Sequence, residues 1–154
     1  MRVTLAAVGR WGETKGGPER ALFDRYVDRL GLRLDLKEVD VKKVSGPGLR
    51  AAEGEKLLAQ IPKNATVVAL DVKGRPVDSE GLAKLLSGWR NRGLKDLAFV
   101  IGGADGLDPA VLARAELRLS LGPLTWPHLL VRIMLAEQLY RASTILAGHP
   151  YHRA

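Results

Sequence analysis

No cysteine occurs among the 154 residues, which excludes disulfides, thiolate nucleophiles and cysteine-ligated metals together. Aromatic residues make up only 5% of the chain and histidine occurs three times, so an aromatic beside a histidine is informative. No apolar run approaches the roughly 18 residues that cross a bilayer. The opening MRVTLAAVG runs straight into a strand-like pattern without the layout of a secretory signal. A cytoplasmic protein off the membrane is the expectation. Acidic residues are in deficit, 17 Asp+Glu against 24 Lys+Arg for a net charge of +7. That balance draws a protein to polyanions, nucleic acid ahead of an anionic membrane.

What is present alternates between two kinds of segment. Val3–Gly9 is apolar and β-prone, and Gly9, Gly12, Gly16 and Gly17 mark a loop before Pro18 opens a helix. That helix carries Leu22, Phe23, Tyr26, Val27 and Leu30 on one stripe and meets Gly31 as its cap. Leu32–Val39 alternates apolar and charged residues, the mark of a half-exposed edge strand. A polar stretch over Lys42–Gly48 precedes a helix over Leu49–Ile61 that Pro62 stops. Ala65–Val72 and Asp96–Gly103 are apolar throughout, as central parallel strands covered on both faces are. Between them Ser79 caps a helix, and Asp108-Pro109 starts another before a short strand at Arg118–Leu121. A last helix over Pro127–Leu146 is ended by Gly148 and Pro150. Five strands alternating with helices, with no linker or repeat over 1–154, predict one α/β domain: a mainly parallel sheet with helices on both faces. Ligands in such sheets sit at the carboxyl ends of the strands, so the loops after Val72, Ile101 and Leu121 are the ones to weigh.

The motifs at those loops differ in specificity. IGGADGL, Ile101–Leu107, joins a buried strand to a helix without dinucleotide or Walker A spacing. It reads equally as a tight turn or a ligand loop. GPLTWP, Gly122–Pro127, is a loop stiffened by two prolines that carries Leu124 and Trp126, suited to clasping a flat aromatic group or to covering the core. All three histidines, His128, His149 and His152, fall in the last stretch. His149 and His152, without cysteine or a nearby acid, make a poor zinc set, and no metal is expected. Tyr151, His152 and Arg153 suit gripping a phosphate or stacking on a base. No Ser-His-Asp order or paired-carboxylate motif stands out.

Together VTLAAVG, VVALDVKGRPVDS, FVIGGADGL and LSLGPLTWPHLLVRIMLAEQLYRASTILAGHPYHR resemble the small SPOUT-superfamily methyltransferases of the RlmH (YbeA) type over essentially the whole chain. The resemblance implies S-adenosylmethionine-dependent methylation of N3 of a pseudouridine in 23S ribosomal RNA, on assembled ribosomes. It also implies a C-terminal deep trefoil knot and a homodimer whose tails complete each other's sites. By the same resemblance Leu70, Gly102, Gly103, Leu121, Gly122, Pro123, Leu124, Thr125 and Trp126 line the cofactor pocket. His128, Arg141, Tyr151, His152 and Arg153 act on the nucleotide, with His128 and His152 as candidate bases and Arg132, Arg141 and Arg153 as candidate anion holders. The alternatives are a non-catalytic RNA-binding or ribosome-assembly protein and a histidine-dependent nuclease. The implied cofactor separates both from the methyltransferase.

Overall fold

A computed structural model describes residues 1–12 and 17–153; Gly16, one of the expected loop glycines, lies outside them. The element order is β1 (Arg2–Val8), α1 (Gly17–Val27), β2 (Arg33–Val39), α2 (Leu49–Gln60), β3 (Thr66–Pro76), α3 (Ser79–Asn91), β4 (Asp96–Ile101), α4 (Pro109–Arg114), β5 (Leu117–Ser120) and α5 (His128–Ala147). The five strands form one parallel sheet in the order β2-β1-β4-β3-β5. None of the described helices is long and apolar enough to cross a membrane.

The uniform apolar runs follow from what covers them. Leu5, Val68, Leu97 and Phe99 point to the face held by Phe23 of α1, Leu86 and Trp89 of α3, and Leu135 and Leu139 of α5. Ala6, Val67, Ala98 and Val100 point to the other face, under Leu57 of α2 and Val111 of α4. Each strand therefore buries both sides, and a polar residue on either would lose its water. The alternating β2 is an edge strand, as its pattern predicts.

Three expectations are corrected. Asp78, not Ser79, caps α3, its carboxylate accepting from the Gly81 amide at 2.7 Å. Ser79 is the first helical residue and donates to Gln138 Oε1 at 2.7 Å. The first helix ends at Val27 rather than Leu30. Finally, the short strand spans Leu117–Ser120 rather than Arg118–Leu121, and it lies at the edge of the sheet.

β3 also runs past Val72. Leu70 and Arg75 both pair with Leu119, so residues 71–74 bulge out. Gly74 permits this, because a Cβ there would stand 2.7 Å from the Arg118 backbone.

The chain leaves β1 for α1 on one face and leaves β4 for α4 on the other, yet β1 and β4 are neighbours. Connections that part in opposite directions open a crevice beyond the carboxyl ends of the two strands.

Candidate functional site

The three loops singled out by sequence converge on the carboxyl edge of β3, β4 and β5. Ser120, which the sequence reading passed over as a strand residue, ties two of them together. Its buried hydroxyl lies 3.1 Å from the Val72 carbonyl and 3.2 Å from that of Gly122, and accepts from the Gly122 amide at 3.1 Å. One hydroxyl thus joins the β3 bulge to the turn after β5. Ser120→Ala is expected to lower stability by about 1 kcal/mol, read as a small fall in melting temperature; an unchanged melt would make the link dispensable.

Gly102 is a glycine for a reason other than ligand space. A Cβ there would lie 2.8 Å from the Gly106 carbonyl carbon and oxygen, inside the turn that the Gly106 amide closes onto the Gly103 carbonyl at 3.1 Å. Gly102→Val would therefore break the turn itself. Gly122 is the opposite case. Its φ of +104° requires glycine, and nothing lies within 4 Å of where a Cβ would be. Half-buried Leu121 lines the same cavity as Gly122; the loop runs on through exposed Pro123 and Thr125 and the exposed apolar side chains of Leu124 (64%) and Trp126 (39%), and half-buried Leu70 stands at the start of the β3 bulge.

His128 begins α5 and rests on Gly9, its Nε2 2.8 Å from where a Gly9 Cβ would be. Burial first, and then the charge of Arg132, push its pKa below the usual histidine value. It is therefore a neutral imidazole near pH 7. Arg132, one turn on, is no anion holder. Its exposure is 0%, and it donates to Glu38 Oε2 at 2.8 Å and to the Gly9 and Val8 carbonyls at 2.8 and 3.3 Å, with its guanidinium 4.8 Å from the Trp11 ring centroid.

The tail forms a second group at the other end of α5. A short 3-10 turn at Pro150–His152, capped by His149 Nδ1 on the Tyr151 amide at 3.1 Å, folds back on the helix. The Tyr151 hydroxyl donates to Glu137 Oε1 at 3.0 Å, and its ring lies 4.6 Å from that of Tyr140 and 5.1 Å from the Arg141 guanidinium. Arg141 in turn is paired with Glu137 at 2.7 Å. Burial and the Glu137 carboxylate push the Tyr151 hydroxyl up to about 12, so it stays a proton donor. His152 Nδ1 is buried without a partner among the described residues, and Arg153 is exposed. Because the tail folds back, Tyr151 meets α5 at Glu137, ~13 Å along the helix from His128. Glu137, which holds both Tyr151 and Arg141, lines the same cavity as Leu121 and Gly122.

Known proteins resemble this chain over its whole length. The model of the family described as Predicted SPOUT methyltransferase matches residues 1–152. The ribosomal RNA large subunit methyltransferase H of Rhodospirillum centenum is 56% identical over the whole of both chains, and that of Paramagnetospirillum magneticum 54% identical over 99% of each. Among solved structures, a probable methylase family protein of Haemophilus influenzae superposes with a TM-score of 0.57 at 13% identity, over 99% of this chain and 70% of its own. A probable rRNA-methyltransferase of Porphyromonas gingivalis gives 0.53 at 13% identity, over 94% and 69%. At such identities these two likenesses concern the fold, whereas the full-length match to the family settles membership: the chain belongs to the SPOUT methyltransferase family.

Proposed function

We propose that the protein transfers the methyl group of S-adenosylmethionine to N3 of a pseudouridine in 23S ribosomal RNA on assembled ribosomes. The observation that carries the reading is the open face of Gly122 among three strand-end loops rimmed by Leu70, Leu121, Leu124 and Trp126. An apolar rim over free glycine backbone fits a flat, polar-edged adenine. Gly103, Pro123 and Thr125 complete the pocket that would hold the cofactor, whose sulfonium supplies a methyl group already activated for transfer. The relatives' names, which specify ribosomal RNA, and the net charge of +7 support an RNA substrate, and a ribosomal substrate implies the cytoplasm.

The protein acts as a homodimer in this reading, with the knotted path at the C-terminal part that the family resemblance implies. Leu22, Leu130 and Leu146 are exposed, and the groove of about 770 Å³ beside α1 and α5 is lined by Leu22, Tyr26, Ile133 and Met134 and, toward the cofactor loop, by Leu121 and Gly122. A second copy covering the α1 and α5 side of that groove can add its Tyr151, His152 and Arg153 to the loops. Arg153 and Arg141 then offer charge to phosphate or to the imide anion, and His128 stands beside the pocket.

Ribosomes or their subunits incubated with labelled S-adenosylmethionine and the protein are expected to yield labelled 3-methylpseudouridine on nucleoside analysis. Ribosome binding without cofactor binding or transfer would favour a non-catalytic RNA-binding factor, and cleaved RNA without cofactor a nuclease.

A further inference from the structure

Among the described residues, the half-buried carboxylates around the carboxyl edge of the sheet have work to do. Glu38 holds Arg132 and Asp40 holds Arg10 at 3.0 Å. Asp71 accepts from the Lys73 amide at 3.1 Å, and Asp108 caps a helix, as the exposed Asp78 does. Glu53 of α2 is the exception. It is more deeply buried than any of these, at 7% exposure, and no described residue hydrogen-bonds to it or pairs with it. A carboxylate this deep with no described partner is costly unless its oxygens keep a path to water, as those of Glu53 do, so its position carries information.

That position is the mouth of the crevice between β1 and β4. A Cβ built on Gly103 would lie 3.0 and 3.4 Å from the two Glu53 oxygens and 3.2 Å from Val8 Cγ1. Both oxygens therefore face the backbone of the turn that follows β4. On the other face of the sheet His128 rests on Gly9. Ala7 pairs with Ile101 at the end of the ladder; beyond it Gly9 stays with β2 through the Val39 carbonyl, and the chain after β4 turns at Gly103 and Gly106. Glu53 thus faces the turn after β4, which carries Gly102 and Gly103, while His128 faces the end of β1.

A uracil-type imide presents at N3 a proton that must leave before or during methylation, and it needs an acceptor. His128 is made a poorer base by burial and by Arg132, and His152 belongs to the tail that Tyr151 and Glu137 hold on α5. We propose that Glu53 is the group that accepts the N3 proton of the target base, an inference that rests on the methyltransferase reading above. The N3–H bond breaks as an O–H bond forms on Glu53. The nitrogen pair bonds to the methyl carbon, the carbon–sulfur pair stays with sulfur, and the proton then passes from Glu53 to water.

Burial, and after it the charge of Asp105 on the turn after β4, hold the Glu53 carboxyl above its ordinary value, which strengthens it as a base. Among the described residues Asp108 also lies close, against the neighbouring Gly54.

The test is Glu53→Gln, which keeps the shape and removes the charge. Methyl transfer to ribosomes at neutral pH is expected to fall roughly 10²- to 10⁴-fold and to recover partly at alkaline pH, where the imide ionises unaided. Calorimetric affinity for S-adenosylmethionine stays within a few-fold. The cofactor-free variant melts at or above the wild-type temperature near pH 7. A raised carboxyl pKa penalises folding above that pKa and not below the ordinary value of 4.5, so any gain disappears as pH falls to that value. A wild-type rate in the variant would overturn the assignment. So would a loss of cofactor affinity as large as the loss of rate, which would make Glu53 a cofactor ligand, or a lowered melting temperature, which would give it a structural partner. Failure of the wild type to methylate in the same assay would sink the methyltransferase reading and this inference with it, whereas an active wild type with an equally active variant sinks this inference alone.

Discussion

A chain ending at Gly148 is expected to lose methyl transfer to ribosomes while binding S-adenosylmethionine within a few-fold of the full chain. Tyr151, His152 and Arg153 are not among the loop residues assigned to the cofactor, so truncation removes nucleotide-facing groups and leaves those loops intact. The tail is also built to stay in place. Tyr151 is held by Glu137, Tyr140 and Arg141, and His149 caps its turn. Arg153→Ala alone should cost about 1.5–3 kcal/mol of transition-state stabilisation, as expected for one charge-assisted contact. Because the tail would serve a second copy, mixing truncated chains with Gly122→Val chains should restore activity in hybrid dimers. Light scattering on the full chain should give twice the mass of one chain. Wild-type turnover by the truncated protein would return the site to His128 and the loops alone.

Arg132→Ala is expected to cost about 3–5 kcal/mol of stability, since it leaves the charge of Glu38 and two backbone carbonyls without their buried donor. It also opens a cavity under Trp11. For a chain of this size that lowers the melting temperature on the order of 10 °C. Arg132→Met, which fills the space but makes no hydrogen bond, should fall between alanine and wild type. A melt within a degree or two of wild type for the alanine variant would mean that the cluster of Trp11, Glu38 and Arg132 contributes little.

Arg132 also marks where sequence reading stops. A positive charge one turn after a histidine on a basic chain reads as an anion holder, because nothing local reveals that Glu38 and the Gly9 carbonyl converge on it. Patterning worked where one element's surroundings decide its composition. The unbroken VVAL and LAFVI runs named the central β3 and β4, and the alternation of Leu34 and Leu36 with Asp35 and Lys37 named the edge strand β2. It failed for the β3 bulge, where Gly74 is explained only by the Arg118 backbone pressed against it. It could not find Glu53 either. Between Ala52 and Gly54 on an ordinary helix, that residue gains meaning only from the register that carries α2 over Gly103. The return of the tail onto Glu137 and Tyr140 likewise emerges only in three dimensions.

The Arg132 cluster bears on how the molecule comes together in time. Its guanidinium bonds to partners 94 and 124 positions away in the chain, joining the last helix to the first two strands. Parallel strands and such distant contacts make folding slow, because long loops must close before any contact rewards them. During synthesis β1 and β2 emerge long before α5, so the guanidinium site at their ends waits, with Glu38 and the Gly9 carbonyl still in water, until the final quarter of the chain arrives. Docking of α5 is therefore the step that seals the N-terminal strands, and it brings His128 onto Gly9 in the same movement. The molecule gains its candidate site and its last layer of core together, at the end of folding.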